Sequence, residues 1–200
     1  MTEKIQSLFD VTMMIRDYGY LGISIITFLE NGIFFLLPGD SLLFAAGLLS
    51  EDGLLNIFLV IFLVVIFTTL GSVVGYFIGK YLDKISDNKY LNKIFHADKI
   101  EKSKIYFARH GDVAIIYAKF FPIFRTFVPI FAGFSKMNFR KFVKYTIFGA
   151  ALWASSMTFA GYFLGKMFPS LIDNITKIGI AIIIVSLLPV VYKYIKNKHF

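Results

Sequence analysis

Four ionisable side chains interrupt otherwise apolar stretches of this sequence: Glu30 and Asp40 within residues 18–50, and Lys119 and Arg125 within residues 113–135. An ionisable group at bilayer depth costs about 2.5–3.5 kcal/mol on insertion scales, so each must pair, line a wet cavity or bind substrate. Lys119 and Arg125 flank Pro122, where a broken helix would present backbone N–H groups beside an ammonium and a guanidinium fork. That combination suits a phosphate or a carboxylate. Glu30 and Asp40 cannot hold the same anion while ionised. A carboxyl that is neutral in one state and charged in another can instead carry a proton. The plainer alternative is a pair of salt bridges that only hold the two stretches together. The two uses are compatible, because acids and bases paired in an empty site can exchange partners on loading.

The elements that must position these groups are broken helices. Pro38-Gly39 precedes Asp40, and Pro122 and Pro129 punctuate the second stretch. Pro and Gly inside an apolar run interrupt the helix and leave backbone groups to be satisfied by protein or by a water-lined cavity. Both stretches therefore read as re-entrant helix-break-helix hairpins, with Pro38, Gly39, Pro122 and Pro129 at breaks lining a pocket. Residues 53–79 and 145–165 read as ordinary transmembrane helices, bounded by charge and free of it inside. A further span is expected over residues 171–194, where Lys177 can snorkel and Pro189 is tolerated.

Composition agrees. Of 200 residues, 57% are hydrophobic, 18% aromatic and only 17% charged, and the mean hydropathy is +0.70. No soluble core needs the uncharged run between Asp52 and Lys80, which exceeds the roughly 20 residues that cross a bilayer. The 15 Gly, 5 Pro and 0 Cys match no collagenous, disordered or disulfide-framed class. Residues 1–17 carry Glu3, Asp10 and Asp17 and lack the pattern of a signal peptide, so the N-terminus is expected to be retained. The net charge of +8 reads first as loops facing an anionic cytoplasmic leaflet, ahead of nucleic acid, which is not expected as a partner. His96, His110 and His199 lie outside the spans without metal-ligand spacing, so neither metal nor cofactor is expected.

The two halves repeat. Ala46-Gly47 recurs as Ala132-Gly133, and Gly75-Tyr76-Phe77-Ile78-Gly79-Lys80 as Gly161-Tyr162-Phe163-Leu164-Gly165-Lys166, both 86 positions later. If each unit is a hairpin that does not cross plus a helix that does, successive units insert upside down, as in secondary transporters. The expected fold is thus an all-α polytopic membrane protein built of inverted repeats, with an additional C-terminal transmembrane helix. One membrane domain would comprise a first repeat (18–80), a basic cytoplasmic connector (81–110), a second repeat (111–166) and the last helix (171–194). The connector, the cluster Lys136, Arg140, Lys141 and Lys144, and the tail Lys193, Lys196 and Lys198 then share one side, while Glu51, Asp52 and Asp173 take the other. That bias places the connector and the C-terminus in the cytoplasm. Gly71, Gly75 and Gly79, with Gly161 and Gly165 in the repeat, suit close helix crossing.

These residues carry a resemblance. Phe28-Leu29-Glu30-Asn31-Gly32, Leu37-Pro38-Gly39-Asp40-Ser41, Arg109-His110-Gly111 and the run from Lys119-Phe120-Phe121-Pro122 through Arg125-Thr126 to Pro129 resemble the DedA family. So do Met137, Phe142 and Trp153, and the likeness covers about residues 19–165 in order. DedA proteins are bacterial inner-membrane members of the wider VTT (SNARE-associated) superfamily. The resemblance implies paired re-entrant hairpins in inverted repeats and movement of lipids across the bilayer, notably undecaprenyl phosphate and in some members phosphatidylethanolamine, dependent on the proton-motive force. By motif position Glu30 and Asp40 match the family's essential acids and Arg125 its second essential arginine. Lys119 stands where many members carry the first arginine, a departure that keeps the charge but loses the bidentate fork.

The expected function is a flippase, not an enzyme, that moves a polyprenyl phosphate across the bacterial cytoplasmic membrane. Lys119 and Arg125 bind the anionic headgroup of the membrane lipid, while Glu30 and Asp40 couple protons, or alternatively sodium, or form salt bridges. A glycerophospholipid flippase or scramblase is the nearest rival. A lipid-modifying enzyme and a proton-coupled small-solute exporter fit less well, and a homo-oligomer is compatible with the reading. Orientation is directly testable, since the chain has 0 Cys. Cysteines replacing Lys93 and Asn197 should be protected from an impermeant thiol reagent in intact cells, whereas one replacing Asp52 should react. Labelling at position 197 from outside would reverse the orientation.

Overall fold

The computed structural model describes residues 11–32, 34, 37, 39–51, 53–85 and 113–168, and every regular element among them is helical. In chain order these are α1 (Val11–Gly32), α2 (Gly39–Glu51), α3 (Ile57–Ile85), a short α4 (113–118), α5 (Pro122–Phe134) and α6 (Phe139–Met167). The connector beyond residue 85, the span expected at 171–194 and Pro38 lie outside the described residues.

Two of these helices are long and apolar enough to cross a membrane, over Ile57–Leu82 and Phe139–Met167. At about 1.5 Å per residue each exceeds the roughly 30 Å hydrocarbon thickness. Both outrun the uncharged segments 53–79 and 145–165, because a helix does not stop where charge begins. Lys80 and Tyr81 continue α3 with exposed side chains, and Arg140, Lys141 and Lys144 open α6. Long basic side chains can reach polar surroundings while their backbone stays helical. The starts are capped alike. Asn56 Oδ1 accepts from the N–H groups of Phe58 and Leu59 at 3.0 and 3.1 Å, and Asn138 Oδ1 from that of Lys141 at 3.2 Å.

Both interrupted stretches are broken where the charges lie. α1 ends at Gly32, two residues after Glu30, and α2 starts at Gly39 with Asp40 in its first turn. Lys119 and Phe120 form a turn between α4 and α5, and Pro122 begins α5. Pro at a helix start sacrifices only an N–H that would have had no intrahelical partner. Pro129 departs from the expectation of a second break: it lies inside α5, which continues to Phe134. A proline in a membrane helix removes one backbone bond, which neighbouring packing can offset, and Pro129 lies against Gly75 of α3. An unexpected bend occurs instead at Gly19 in α1, whose φ of 49° and ψ of −132° glycine tolerates without a Cβ clash.

Contacts divide the described chain into two compact units. In one, α2 is buried from Gly39 through Ser50 and crosses the second half of α6. Gly47 lies so close to the Thr158 carbonyl, and Gly161 to the Phe44 carbonyl, that a Cβ on either would overlap backbone. In the other, α5 crosses the second half of α3 in the same manner, with Gly133 against the Tyr76 carbonyl and Gly79 against that of Ile130. Gly71 approaches the Phe28 carbonyl of α1 equally closely. Around this crossing Tyr76, Ile115, Ala132 and Phe142 form an apolar core, with the Tyr76 and Phe142 rings stacked at 4.8 Å. Small faces permit backbone approach where lipid supplies no hydrophobic drive to associate. Gly133→Ala and Gly79→Ala should each therefore cost about 1–3 kcal/mol through overpacking against backbone. A lowered melting midpoint in detergent is the expected readout, and unchanged melting in both would refute the tight crossing.

Candidate functional site

The ends of the broken helices converge in the second unit. Arg125, in the first turn of α5, donates from Nη1 to Glu30 Oε1 at 2.8 Å, with the two side chains 0% and 1% exposed. Beside it the Thr126 hydroxyl donates to the Glu30 carbonyl at 2.7 Å. The end of α1 and the start of α5 are thus tied both through side chains and through backbone. The N-cap of α5 is Phe121, which offers no side-chain oxygen to the first-turn N–H groups. A cation in the first turn opposes the helix dipole, so this end of α5 concentrates positive potential.

Lys119, in the turn before α5, is held differently. Its Nζ donates to Asn31 Oδ1 at 2.9 Å and to Ser72 Oγ at 2.7 Å, and the side chain is 1% exposed. Both partners are neutral and both are themselves oriented. The Asn31 amide donates to the Thr27 carbonyl at 2.9 Å and reaches Thr68 Oγ1 at 3.5 Å, which turns Oδ1 toward the ammonium. Ser72 gives its hydroxyl proton to the Thr68 carbonyl at 2.7 Å, leaving a lone pair for Lys119. Glu30, Lys119 and Arg125 are the buried acidic and basic side chains among the described residues of this unit.

Asp40 belongs to the other unit. It is buried in the first turn of α2, where a negative charge suits the helix dipole, and its Oδ1 accepts from the Trp153 indole at 2.8 Å. Gly39 is buried at the same helix start, and Pro122 is buried at the start of α5. Pro129 lies one helical turn past Arg125, within α5. Among the described residues no cluster of three or more His, Cys, Asp or Glu could hold a metal.

Thr68 and Ser72 are absent from the expected site because they lie in a stretch that reads as a plain span. A signal was present: Thr68 and Ser72, four apart, share one face of a largely apolar helix. Asn31 lies beside Glu30 in the sequence, yet nothing in composition marks it as a ligand of a residue 88 positions away. The Arg125–Glu30 pair makes a sharp prediction about stability. Removing one partner leaves a buried charge uncompensated and should cost about 3–5 kcal/mol, more than removing both. In a thermal-unfolding cycle the double variant Glu30→Gln/Arg125→Gln should cost less than either single variant, a coupling of about 3 kcal/mol or more. Strict additivity would show that the pair carries no energy.

Residues 37–163 match the VTT domain family. The chain is 38% identical to Protein DedA of Escherichia coli K12 over 192 residues, covering 92% of this chain and 87% of that protein. It is 40% identical to the uncharacterized membrane protein Rv0364 of Mycobacterium tuberculosis H37Rv over 171 residues, 84% of this chain and 75% of the relative. It is 32% identical to the inner membrane protein YqjA of E. coli K12 over 153 residues, 74% of this chain and 68% of that one. No solved structure matches the chain significantly. Two apolar helices of spanning length, broken helices carrying buried charge, and these likenesses lead to one assignment: the chain belongs to the DedA family of VTT-domain membrane proteins.

Proposed function

We propose that this protein is a flippase for a polyprenyl phosphate, with undecaprenyl phosphate as the leading substrate, in the bacterial cytoplasmic membrane. One observation carries the reading: Lys119 and Arg125 are both fully buried at the start of α5, Lys119 on the neutral oxygens of Asn31 and Ser72 and Arg125 on Glu30. Holding two basic side chains this close together inside a membrane protein costs several kcal/mol. An anion that enters the site recovers that cost, and the uncapped, cationic start of α5 adds to the attraction. The lipid's phosphate takes Lys119 and Arg125, and its tail stays among apolar side chains. Phe121, Phe124, Phe127 and Phe131 leave an aromatic face of α5 exposed alongside Arg125, a surface suited to an isoprenoid chain.

In this reading the broken stretches are re-entrant hairpins and the two repeats are inverted. The glycine crossings support it. Gly47 with Phe44 in one unit corresponds to Gly133 with Ile130 in the other at the same 86-residue offset, and each short helix packs on the long helix of the opposite repeat. The chain is then multi-pass with a cytoplasmic C-terminus, and it moves its substrate without altering it chemically. Glu30 and Asp40 supply proton coupling. Arrival of a phosphate draws Arg125 away from Glu30, which can then take a proton, so that anion and proton cross together. A glycerophospholipid flippase or scramblase is the second reading, favoured by the close Glu30–Arg125 pair, since a zwitterionic headgroup needs acid and base together.

Lipid movement in proteoliposomes, with and without an imposed pH gradient, tests both. Arg125→Ala should abolish movement while the protein still inserts. Glu30→Gln and Asp40→Asn should lose gradient-driven accumulation and retain slow exchange, because an amide hydrogen-bonds without ionising. Full activity in Arg125→Ala would remove that residue from the site, and gradient-independent movement by the parent would favour a scramblase.

A further inference from the structure

We infer that the end of the second unit formed around the α5–α6 turn is a docking surface for anionic phospholipid headgroups, held by Lys80, Lys136, Arg140, Lys141 and Lys144. The inference stands apart from the transport reading and needs only that the chain lies in a membrane. These residues come from two separate stretches of sequence, and packing joins them. Gly133 packs on the backbone of Tyr76 and Lys80, the Tyr76 hydroxyl donates to the Met137 carbonyl at 2.5 Å, and the Phe77 and Phe139 rings meet at 5.5 Å. Lys80, near the end of α3, is thereby brought to the turn that carries Lys136 and to the start of α6. All five basic side chains are exposed. Among the described side chains of this unit Glu30 is the one carboxylate, and it is buried against Arg125.

Packing does not call for these charges. The first repeat makes the corresponding turn 86 positions earlier, where residues 50–58 carry Glu51 and Asp52 and no basic residue; residues 136–144 carry four basic residues and no acid. The backbone itself resists one of them. Lys136 has a φ of 56°, a left-handed conformation that glycine adopts more readily, and the first repeat gives such a position to Gly53 at 75°. Length sets the level in the membrane. After Lys144 the helix is uncharged from Tyr145 to Gly165, about 30 Å at 1.5 Å per residue, so Arg140, Lys141 and Lys144 meet the headgroup layer. Phe77, Tyr81 and Phe139 are exposed at the same end, as aromatic side chains are at a membrane–water boundary. A basic surface at that level attracts headgroups of net negative charge, whereas a zwitterionic headgroup offsets its phosphate with its own cation.

The test uses the full chain in detergent, titrated with phosphatidylglycerol and with phosphatidylcholine of the same acyl chains, with bound lipid counted by native mass spectrometry. The parent should prefer phosphatidylglycerol by about tenfold or more, and the preference should shrink as the ammonium acetate concentration rises. The triple variant Arg140→Gln/Lys141→Gln/Lys144→Gln should lose most of that preference. Lys80→Gln/Lys136→Gln, on α3 and the turn, should lower it in the same direction, whereas Lys166→Gln, the counterpart of Lys80 in the other repeat, should leave it unchanged. If one of the two multiple variants fails to melt cooperatively, the other decides. A parent that does not distinguish the two lipids overturns the inference, and so does a preference retained in every variant that folds. A preference that survives there but disappears in Lys119→Gln assigns the lipid to the buried site instead and also overturns the surface. A preference lost as expected, in a protein that moves no lipid in proteoliposomes, defeats the flippase reading and leaves the docking surface standing.

Discussion

The buried pair of Arg125 and Glu30 joins positions 95 residues apart in sequence, and the arrangement of the second unit depends on it. Neither partner has water to fall back on. A guanidinium and a carboxylate removed from solvent lose several kcal/mol each of hydration, which only close opposite charge and further hydrogen bonds can offset. The pair consequently fixes where α1 must end and where α5 must begin. The Thr126 hydroxyl on the Glu30 carbonyl adds a backbone anchor at the same place. The end of α1 and the start of α5 are thereby brought together.

Such an arrangement requires helices to approach more closely than ordinary side chains allow. The reciprocal glycines of α3 and α5, and of α2 and α6, meet that requirement by letting carbonyls take the place of Cβ atoms. The outer surfaces of the long helices show the opposite composition. Phe58, Phe62, Phe148 and Phe163 are exposed there, as expected of a protein whose solvent is lipid. In the interior, donated hydrogen bonds run from Lys119 through the Asn31 amide and the Ser72 hydroxyl to the Thr27 and Thr68 carbonyls.

Lysine rather than arginine at position 119 acquires a structural meaning from that chain. A planar fork presents five donors and suits bidentate partners, whereas an ammonium is compact and can be surrounded by single oxygens. The Asn31 and Ser72 oxygens, at 2.9 and 2.7 Å, form a cradle of the second kind. Part of the hydrogen bonding of Lys119 is thus met by neutral groups.

Much of this was legible in the chain itself. Apolar length identifies Ile57–Leu82 and Phe139–Met167, because a helix must cover the hydrocarbon layer regardless of its neighbours. Proline, glycine and isolated charge mark the two broken stretches, since both backbone interruption and buried charge are costly wherever they occur. Sequence could not tell which cation meets which partner. Lys119 and Arg125 are equivalent as charges in an apolar run, and only the crossing of α1, α3 and α5 gives Arg125 a carboxylate and Lys119 an amide and a hydroxyl. Nor could it separate Pro122, which starts a helix, from Pro129, which lies within one. Local chemistry determines that a polar group must be satisfied; the partner that satisfies it comes from residues distant in sequence, and tertiary packing alone selects it.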